Sequence, residues 1–190
     1  MTGKSMGDKV RTPVDDWFVY DVDIAGRTLF LGGEVDDGMA ERFLKGLHLL
    51  SGKSSDEINI TINTTGGDEY HGMAIFDAIA CSRCHVTMTG YGNVMSMGSW
   101  IMQAADLRVL SPNATMMIHY GSWDKGDEHV KYQRVQLEEM ERINVITELA
   151  YLPKTTMSLR RLKKMLEDEV YLSAEQAVEL GLADKVLDLP

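Results

Sequence analysis

Two strand–glycine–helix units follow one another in the middle of this sequence, and they constrain its fold more than any other feature. In the first unit, residues 57–63 alternate between polar and apolar side chains, which predicts a strand, and the turn Thr64–Gly67 leads into a predicted helix over residues 70–82. In the second unit, a strand from His85 to Thr89 is followed by a glycine-containing turn and a helix over residues 98–105. Consecutive units of this kind predict a largely parallel sheet with its turns at one edge.

Ser96 lies where the second strand turns into its helix. A serine at such a turn exposes its hydroxyl, and the amide of Met97 belongs to the start of the helix, where unpaired N–H groups attract negative charge. A nucleophile beside an anion-stabilising amide is half of an acyl-transfer site. The alternative is that Ser96 only caps the helix, which is the commoner role of serine at this position.

His119 is the candidate partner of Ser96. It closes a predicted short apolar strand, Thr115–His119, and an isolated histidine in that place usually has no chemical role. In a parallel sheet, however, the ends of neighbouring strands meet, so the Gly66-Gly67 pair and Ser96 are expected to lie close together. A histidine near a turn serine is then a candidate general base.

Other elements follow from the same patterns. A long helix is predicted over residues 128–150, with an apolar stripe of Val130, Leu137, Met140, Ile143, Ile146 and Leu149. Because this helix is longer than a small sheet requires, we expect its far end to pack on another subunit. Further strands are predicted at residues 28–31, 106–110 and 182–187, and further helices at 37–50, from Ser158, and from a capping box at Ser173–Gln176.

Composition excludes several classes of protein. The chain has 190 residues, 44% of them hydrophobic, which suits one globular domain; we assign residues 17–190 to it and residues 1–16 to a mobile N-terminal arm. The formal net charge of −10, without a basic stripe, argues against a nucleic-acid partner. Neither an apolar run of membrane-spanning length nor a signal-peptide pattern occurs, so we predict a cytoplasmic protein that does not bind membranes.

The segment Cys81-Ser82-Arg83-Cys84-His85 matches the pattern of c-type haem attachment and contains the Cys-x-x-Cys spacing of zinc and redox sites. Haem attachment accompanies export, for which the sequence offers no signal, and zinc would need a second pair of ligands. We therefore predict neither a metal nor a cofactor.

Four blocks of this sequence, in order and at compatible spacing, resemble the proteolytic subunit of the Clp protease, the ClpP family. They are Asn63–Gly67, the nucleophile turn Gly92–Gly98, the strand Met117–His119, and Tyr171–Ala174 together with Glu179–Asp184. The likeness covers roughly residues 27 to 188. It implies an α/β fold of the ClpP/crotonase type, built from repeated strand–turn–helix units with a protruding long helix, the handle.

The resemblance also implies a serine peptidase that cuts peptides or unfolded proteins through an acyl-enzyme. Ser96 would be the nucleophile and His119 the base, while the amides of Gly67 and Met97 would bind the oxyanion. Glu169 occupies the position of the family's catalytic aspartate, two residues before the aromatic-Leu-Ser-Ala block.

For the assembly, the resemblance implies a homo-oligomer of two stacked heptameric rings around a closed chamber. The helix over residues 128–150 would join the two rings, and an extended substrate would add as a strand beside Gly66-Gly67 and the segment 121–126. An AAA+ ATPase is the implied partner.

Four positions depart from the family pattern. Glu169 replaces the catalytic aspartate, and Asp168 before it replaces an arginine, so either acid could complete the site and the family's ion pairing between rings is not expected. Asn59 and Thr61 stand where the family has tyrosines for docking the ATPase, which predicts weak or absent docking. Two alternatives stay open: a non-catalytic or weakly active ring subunit, and a crotonase-type acyl-CoA enzyme with the same fold.

Overall fold

The computed structural model describes residues 12, 17, 19–122 and 130–188. The predicted N-terminal arm, apart from Thr12, and residues 123–129 of the predicted loop and handle lie outside the described residues. Within them no helix combines the length and apolar composition needed to cross a bilayer.

The described strands form one sheet in the order β1-β2-β3-β4-β5-β8, in which β2, β3, β4, β5 and β8 are parallel. Strand β6 pairs in parallel with the end of β4, and β7 pairs antiparallel with β6. The largely parallel sheet predicted from the two strand–glycine–helix units is therefore confirmed. The strands are β1 (Val22–Asp23), β2 (Thr28–Val35), β3 (Ile58–Gly67), β4 (Val86–Met95), β5 (Leu107–Leu110), β6 (Thr115–Ile118), β7 (Val170–Ser173) and β8 (Lys185–Val186).

The glycines predicted to end strands lie inside them. Strand β3 continues to Gly67 because Gly66 and Gly67 still pair with β2, and β2 likewise runs to Val35. The strand pairing has register shifts at Gly32/Glu34 and at Ile62/Thr64. At these points a bulge or a glycine lets the strands bend while they stay paired. The predicted turns are thus bent strand ends that point toward the same edge of the sheet.

Six helices cover the sheet in the described part. The capping box predicted at Ser173–Gln176 is complete, and the first helix is capped by Asp36, which accepts from the Met39 amide at 2.7 Å. Helix α1 includes residues 51–53, which were predicted as a loop. The helices are α1 (Asp37–Lys53), α2 (Glu69–Ala80), α3 (Met97–Met102), α4 (Val130–Tyr151), α5 (Leu159–Asp168) and α6 (Ala174–Glu179).

Helix α4 packs on the domain only over its C-terminal half. Ile143 and Tyr151 are buried, whereas Tyr132 is 62% exposed and Val135 and Leu137 are also exposed. Of the predicted apolar stripe, Ile143 is buried whereas Leu137 and Leu149 are exposed on this chain, and the packed face also contains Thr147 and Glu148. The N-terminal half of α4 therefore projects from the domain with apolar side chains in solvent.

Candidate active site

Ser96 joins β4 to α3 in a backbone conformation that serine rarely adopts, with φ +50° and ψ −122°. Its amide donates to the carbonyl of Met117 on β6 at 2.8 Å, which fixes the turn against the neighbouring strand. Strain of this kind persists only where surrounding structure imposes it, and it occurs often at functional sites. The side chain makes no capping hydrogen bond to α3, so the capping role considered for Ser96 is not supported.

The Ser96 hydroxyl instead meets His119: its Oγ lies 2.7 Å from Nε2 of the imidazole. That distance permits the proton transfer expected of a serine and its general base. His119 follows the last residue of β6, and its side chain is only 19% exposed. The structure therefore brings together the two residues that the sequence placed at separate strand ends.

The backbone after His119 is held by contacts from two helices. The Tyr120 amide donates to the Leu166 carbonyl on α5 at 2.9 Å, and its hydroxyl donates to the Glu148 carboxylate on α4 at 2.7 Å. Lys163 forms an ion pair with the same carboxylate. Burial and the hydrogen bond to Glu148 both raise the pKa of Tyr120, so this hydroxyl stays protonated and keeps donating.

Glu169 lies opposite His119 because β6 and β7 pair with Ile118 beside Val170. Its Oε2 is 3.7 Å from Nδ1 of His119, which is beyond hydrogen-bond distance, and its Oε1 accepts from the Tyr171 hydroxyl at 3.1 Å. The rival acid Asp168 forms an ion pair with Lys164. Of the two acids considered from the sequence, Glu169 is the one that faces His119.

The two glycines at the end of β3 are closely packed, Gly66 on the nucleophile and Gly67 on β2. A Cβ placed on Gly66 would lie 2.6 Å from Cβ of Ser96 and 3.0 Å from the Met97 nitrogen, and Gly66 has φ +103°. A Cβ on Gly67 would meet the Val35 carbonyl oxygen at 2.4 Å. Only glycine fits at both positions, and Gly66 is the one that lies beside the Met97 nitrogen. The oxyanion hole formed by the amides of Gly67 and Met97 stays a prediction.

A small pocket beside Ser96 contains residues that the sequence did not single out. It is lined by Glu69, Met97, Trp100, Gly121, Ile143, Thr147 and Tyr151 together with Ser96 and His119. Glu69 begins α2, while Thr147 and Tyr151 come from the end of α4. These side chains are distant in sequence and follow no motif, so only the packing of α4 against α3 reveals them.

The Cys81–His85 segment connects α2 to β4. Cys84 is buried, with its sulfur 3.5 Å from the Ser54 carbonyl oxygen, while Cys81 is exposed. Across residues 12, 17, 19–122 and 130–188, no group of three His, Cys, Asp or Glu side chains is placed to hold a metal ion. The predictions of no metal and no cofactor stay predictions.

Comparison with known proteins agrees with this geometry. A sequence profile described as Clp protease matches residues 17–189. The chain is 31% identical over 167 residues to ATP-dependent Clp protease proteolytic subunit 2 of Prochlorococcus marinus, covering 86% of this chain and 82% of the relative. It is also 31% identical to the ATP-dependent Clp protease proteolytic subunit of Deinococcus radiodurans, covering 90% of this chain and 84% of that protein.

A similar solved structure is that of a mutant of ClpP1 from Listeria monocytogenes. Its TM-score is 0.80 at 28% sequence identity, and the match covers 87% of this chain and 94% of that one. The α/β fold of the ClpP type, expected from four short blocks of sequence, is confirmed by this likeness.

Proposed function

Because this chain belongs to the Clp protease family, we propose that it is a serine endopeptidase that cuts peptides or unfolded proteins through an acyl-enzyme. The observation that carries this function is the 2.7 Å contact between Ser96 Oγ and His119 Nε2, made by a serine in a strained turn. A crotonase-type acyl-CoA enzyme needs an acid or base at its thioester rather than a Ser–His pair, so the contact disfavours that alternative.

The chemistry follows from the position of each group. His119 Nε2 takes the proton as Ser96 Oγ attacks the carbonyl carbon of the substrate, and the amides of Gly67 and Met97 donate to the oxygen that becomes negative. His119 then gives the proton to the leaving amine, which releases the first product and leaves an acyl group on Ser96. Water, activated by the same imidazole, hydrolyses this ester. Glu169 stabilises the charged imidazolium in both steps.

The test is labelling of the full-length protein with a fluorophosphonate, followed by identification of the modified residue. We expect one label, on Ser96, and no label on Ser96→Ala or His119→Ala. Ser55→Ala, at an exposed serine outside the site, is the control and should still be labelled. Failure of Ser96 to react in folded protein would overturn the peptidase function and leave a non-catalytic ring subunit.

The proposal includes an assembly of two stacked heptameric rings, with the active sites facing a closed chamber. The apolar side chains on the projecting half of α4 support it, because such a surface is typical of a contact with another subunit. A chamber also has a physical purpose for a protease of broad specificity in the cytoplasm, where we place this protein, since it keeps folded proteins away from Ser96.

The relatives are named ATP-dependent, and we propose an AAA+ ATPase as a weakly bound partner of this chain. Asn59 is exposed and Thr61 half-buried on β3, so neither supplies an aromatic surface for a partner loop. Peptides should then be cut far better than folded proteins. Efficient ATP-dependent degradation of a tagged folded substrate with such a partner would contradict this weak docking.

A further inference from the structure

We propose that Tyr171 is a positioning residue that limits the rate of this enzyme by holding the Glu169 carboxylate away from His119. The inference rests on the proposed peptidase function, and it concerns how strongly the acid can support the base. It assigns a role to a hydroxyl that lies outside the Ser–His–acid set.

The geometry shows one carboxylate shared between two donors. Glu169 Oε1 accepts from the Tyr171 hydroxyl at 3.1 Å, whereas Oε2 stops 3.7 Å from Nδ1 of His119. An N–H···O⁻ bond of ordinary length is about 2.8 Å, so the carboxylate lies about 0.9 Å short of direct contact with the imidazole. The hydrogen bond to tyrosine is formed, and the one to histidine is not.

Local structure explains why the carboxylate can turn either way. Glu169 ends α5 in the left-handed conformation, at φ +52°, so its side chain starts from an unusual direction. Its side chain is 52% exposed and Tyr171 is 56% exposed, so packing fixes neither. Glutamate also has one more rotatable bond than aspartate, which gives the carboxylate reach toward the phenol.

The charges around Glu169 do not supply another cause for its position. Asp168, its neighbour in sequence, is paired with Lys164 on the exposed side of α5. His119 and Tyr171 are the donors that the structure places at the Glu169 carboxylate within the described residues. The same hydrogen bond raises the pKa of the Tyr171 hydroxyl, so it remains a donor throughout the working range of a peptidase.

Removing the hydroxyl should therefore release the carboxylate toward His119. With Tyr171→Phe, we expect kcat for a fluorogenic peptide to rise about fivefold, with KM changed by less than twofold, because the transition state carries the imidazolium that Glu169 stabilises. A closer carboxylate also favours the charged imidazole, so the acid limb of the pH–rate profile should move to higher pH. Tyr91→Phe, at another exposed tyrosine, is the control and should leave both unchanged.

A double-mutant cycle separates this role from a general effect on the fold. In Glu169→Asp the shorter side chain no longer reaches the phenol, so adding Tyr171→Phe should change kcat by less than twofold. An equal gain in both backgrounds, or no gain in the natural one, would overturn the inference.

The rate of labelling of Ser96 by a fluorophosphonate, measured against pH, keeps this test distinct from that of the proposed function. If the unsubstituted protein is labelled at Ser96 and Tyr171→Phe is labelled at the same rate with the same pH profile, the role of Tyr171 is overturned and the peptidase function stands. A natural chain that does not label would overturn the function itself.

Discussion

The hydroxyl of Ser99 lies 2.6 Å from the hydroxyl of Tyr151, so the helix that follows the nucleophile is bonded to the end of the handle. Ser99 Oγ also lies 2.7 Å from the carbonyl oxygen of Ser96 and 2.8 Å from that of Met117. Ser99 has one proton, which the two carbonyl oxygens share, so the Tyr151 hydroxyl is the donor to Ser99. Tyr151, at the end of the handle, thereby helps to hold the strained turn at Ser96 through Ser99.

Tyr151→Phe should loosen that support. The variant leaves Ser99 without its donor in a buried site, which costs about 1 kcal/mol of unfolding free energy, and kcat should fall severalfold as the turn relaxes. Thermal denaturation and peptide hydrolysis measure the two effects. Tyr132→Phe, on the exposed half of α4, is the control and should change neither the stability nor kcat. A fully active Tyr151→Phe would show that the turn at Ser96 does not depend on the hydroxyl of Tyr151.

The identity of the acid is tested by three substitutions. Glu169→Asp should raise kcat, because the aspartate matches the family pattern, and Glu169→Ala should lower it. A misplacement of about 1 Å can cost about a hundredfold in rate, which sets the upper limit of the gain. Asp168→Ala should have little effect, since that side chain pairs with Lys164. Loss of activity in Asp168→Ala alone would move the acid to Asp168.

Glu69 should influence which peptide bonds are cut. It is half-buried at the pocket beside Ser96, and among the described residues that line this pocket it is the one carboxylate. A partly exposed ion pair contributes about 1 kcal/mol, so substrates with Lys or Arg before the scissile bond should react about fivefold faster than those with Glu. Glu69→Gln should abolish this ratio in a peptide panel. An unchanged ratio would place the substrate side chain elsewhere.

Light scattering should give a mass many times that of one chain. Leu137→Asp, on the projecting half of α4, should reduce this mass because it puts a charge into the contact between rings, whereas Gln133→Asp on the same half should not. A single-chain mass for the natural protein would rule out the ring assembly.

Asp184 should give the fold part of its resistance to acid. Burial alone would raise the pKa of Asp184, but hydrogen bonds from the side chain and amide of buried Arg108 outweigh it and hold the pKa below its ordinary value. This contribution is present above the ordinary range of aspartate, near pH 4, and is lost as the pH falls through the lowered folded value.

Asp184→Asn should therefore cost about 1–2 kcal/mol at pH 7, because Arg108 loses its charged partner and water screens the 35% exposed Asp184 side chain, and the cost should shrink below about pH 4. Urea denaturation at several pH values measures both. Glu41→Gln, which breaks an exposed pair with Lys45, is the control and should change the stability much less at every pH. An equal cost for Asp184→Asn at pH 7 and at pH 3 would contradict the assignment.

The arrangement of strands was predictable because periodicity is a local property. The alternation at residues 57–63 and the two glycine turns were sufficient for a parallel sheet with Gly67 and Ser96 at one edge, and the structure has that arrangement. Strand ends were wrong because glycine permits a turn but does not require one. Pairing between neighbouring strands decided that β3 continues through Gly67, and such pairing is not visible in a single segment.

The site was predictable only for residues whose position follows from the ends of the predicted strands. Ser96 and His119 each end a strand, so their meeting followed from the sheet, whereas Glu69 and Tyr151 reach the pocket by the packing of separate helices. The distance of Glu169 from His119 depends on a left-handed residue and on a tyrosine two positions later. Backbone propensities do not predict a positive φ at glutamate. The sequence therefore identified Glu169 as the candidate acid but could not predict where its carboxylate lies.

The exposure of the N-terminal half of α4 has a consequence for how the subunits assemble. Helical segments of fewer than about 12–15 residues are marginal in water unless something packs on them, and the apolar side chains of Tyr132, Val135 and Leu137 in this half are exposed. In dilute solution we expect this half to fray and to exchange its amide hydrogens quickly. If the rings form as proposed, this half of the helix becomes ordered only on assembly, so we expect the subunit concentration to determine when proteolysis begins.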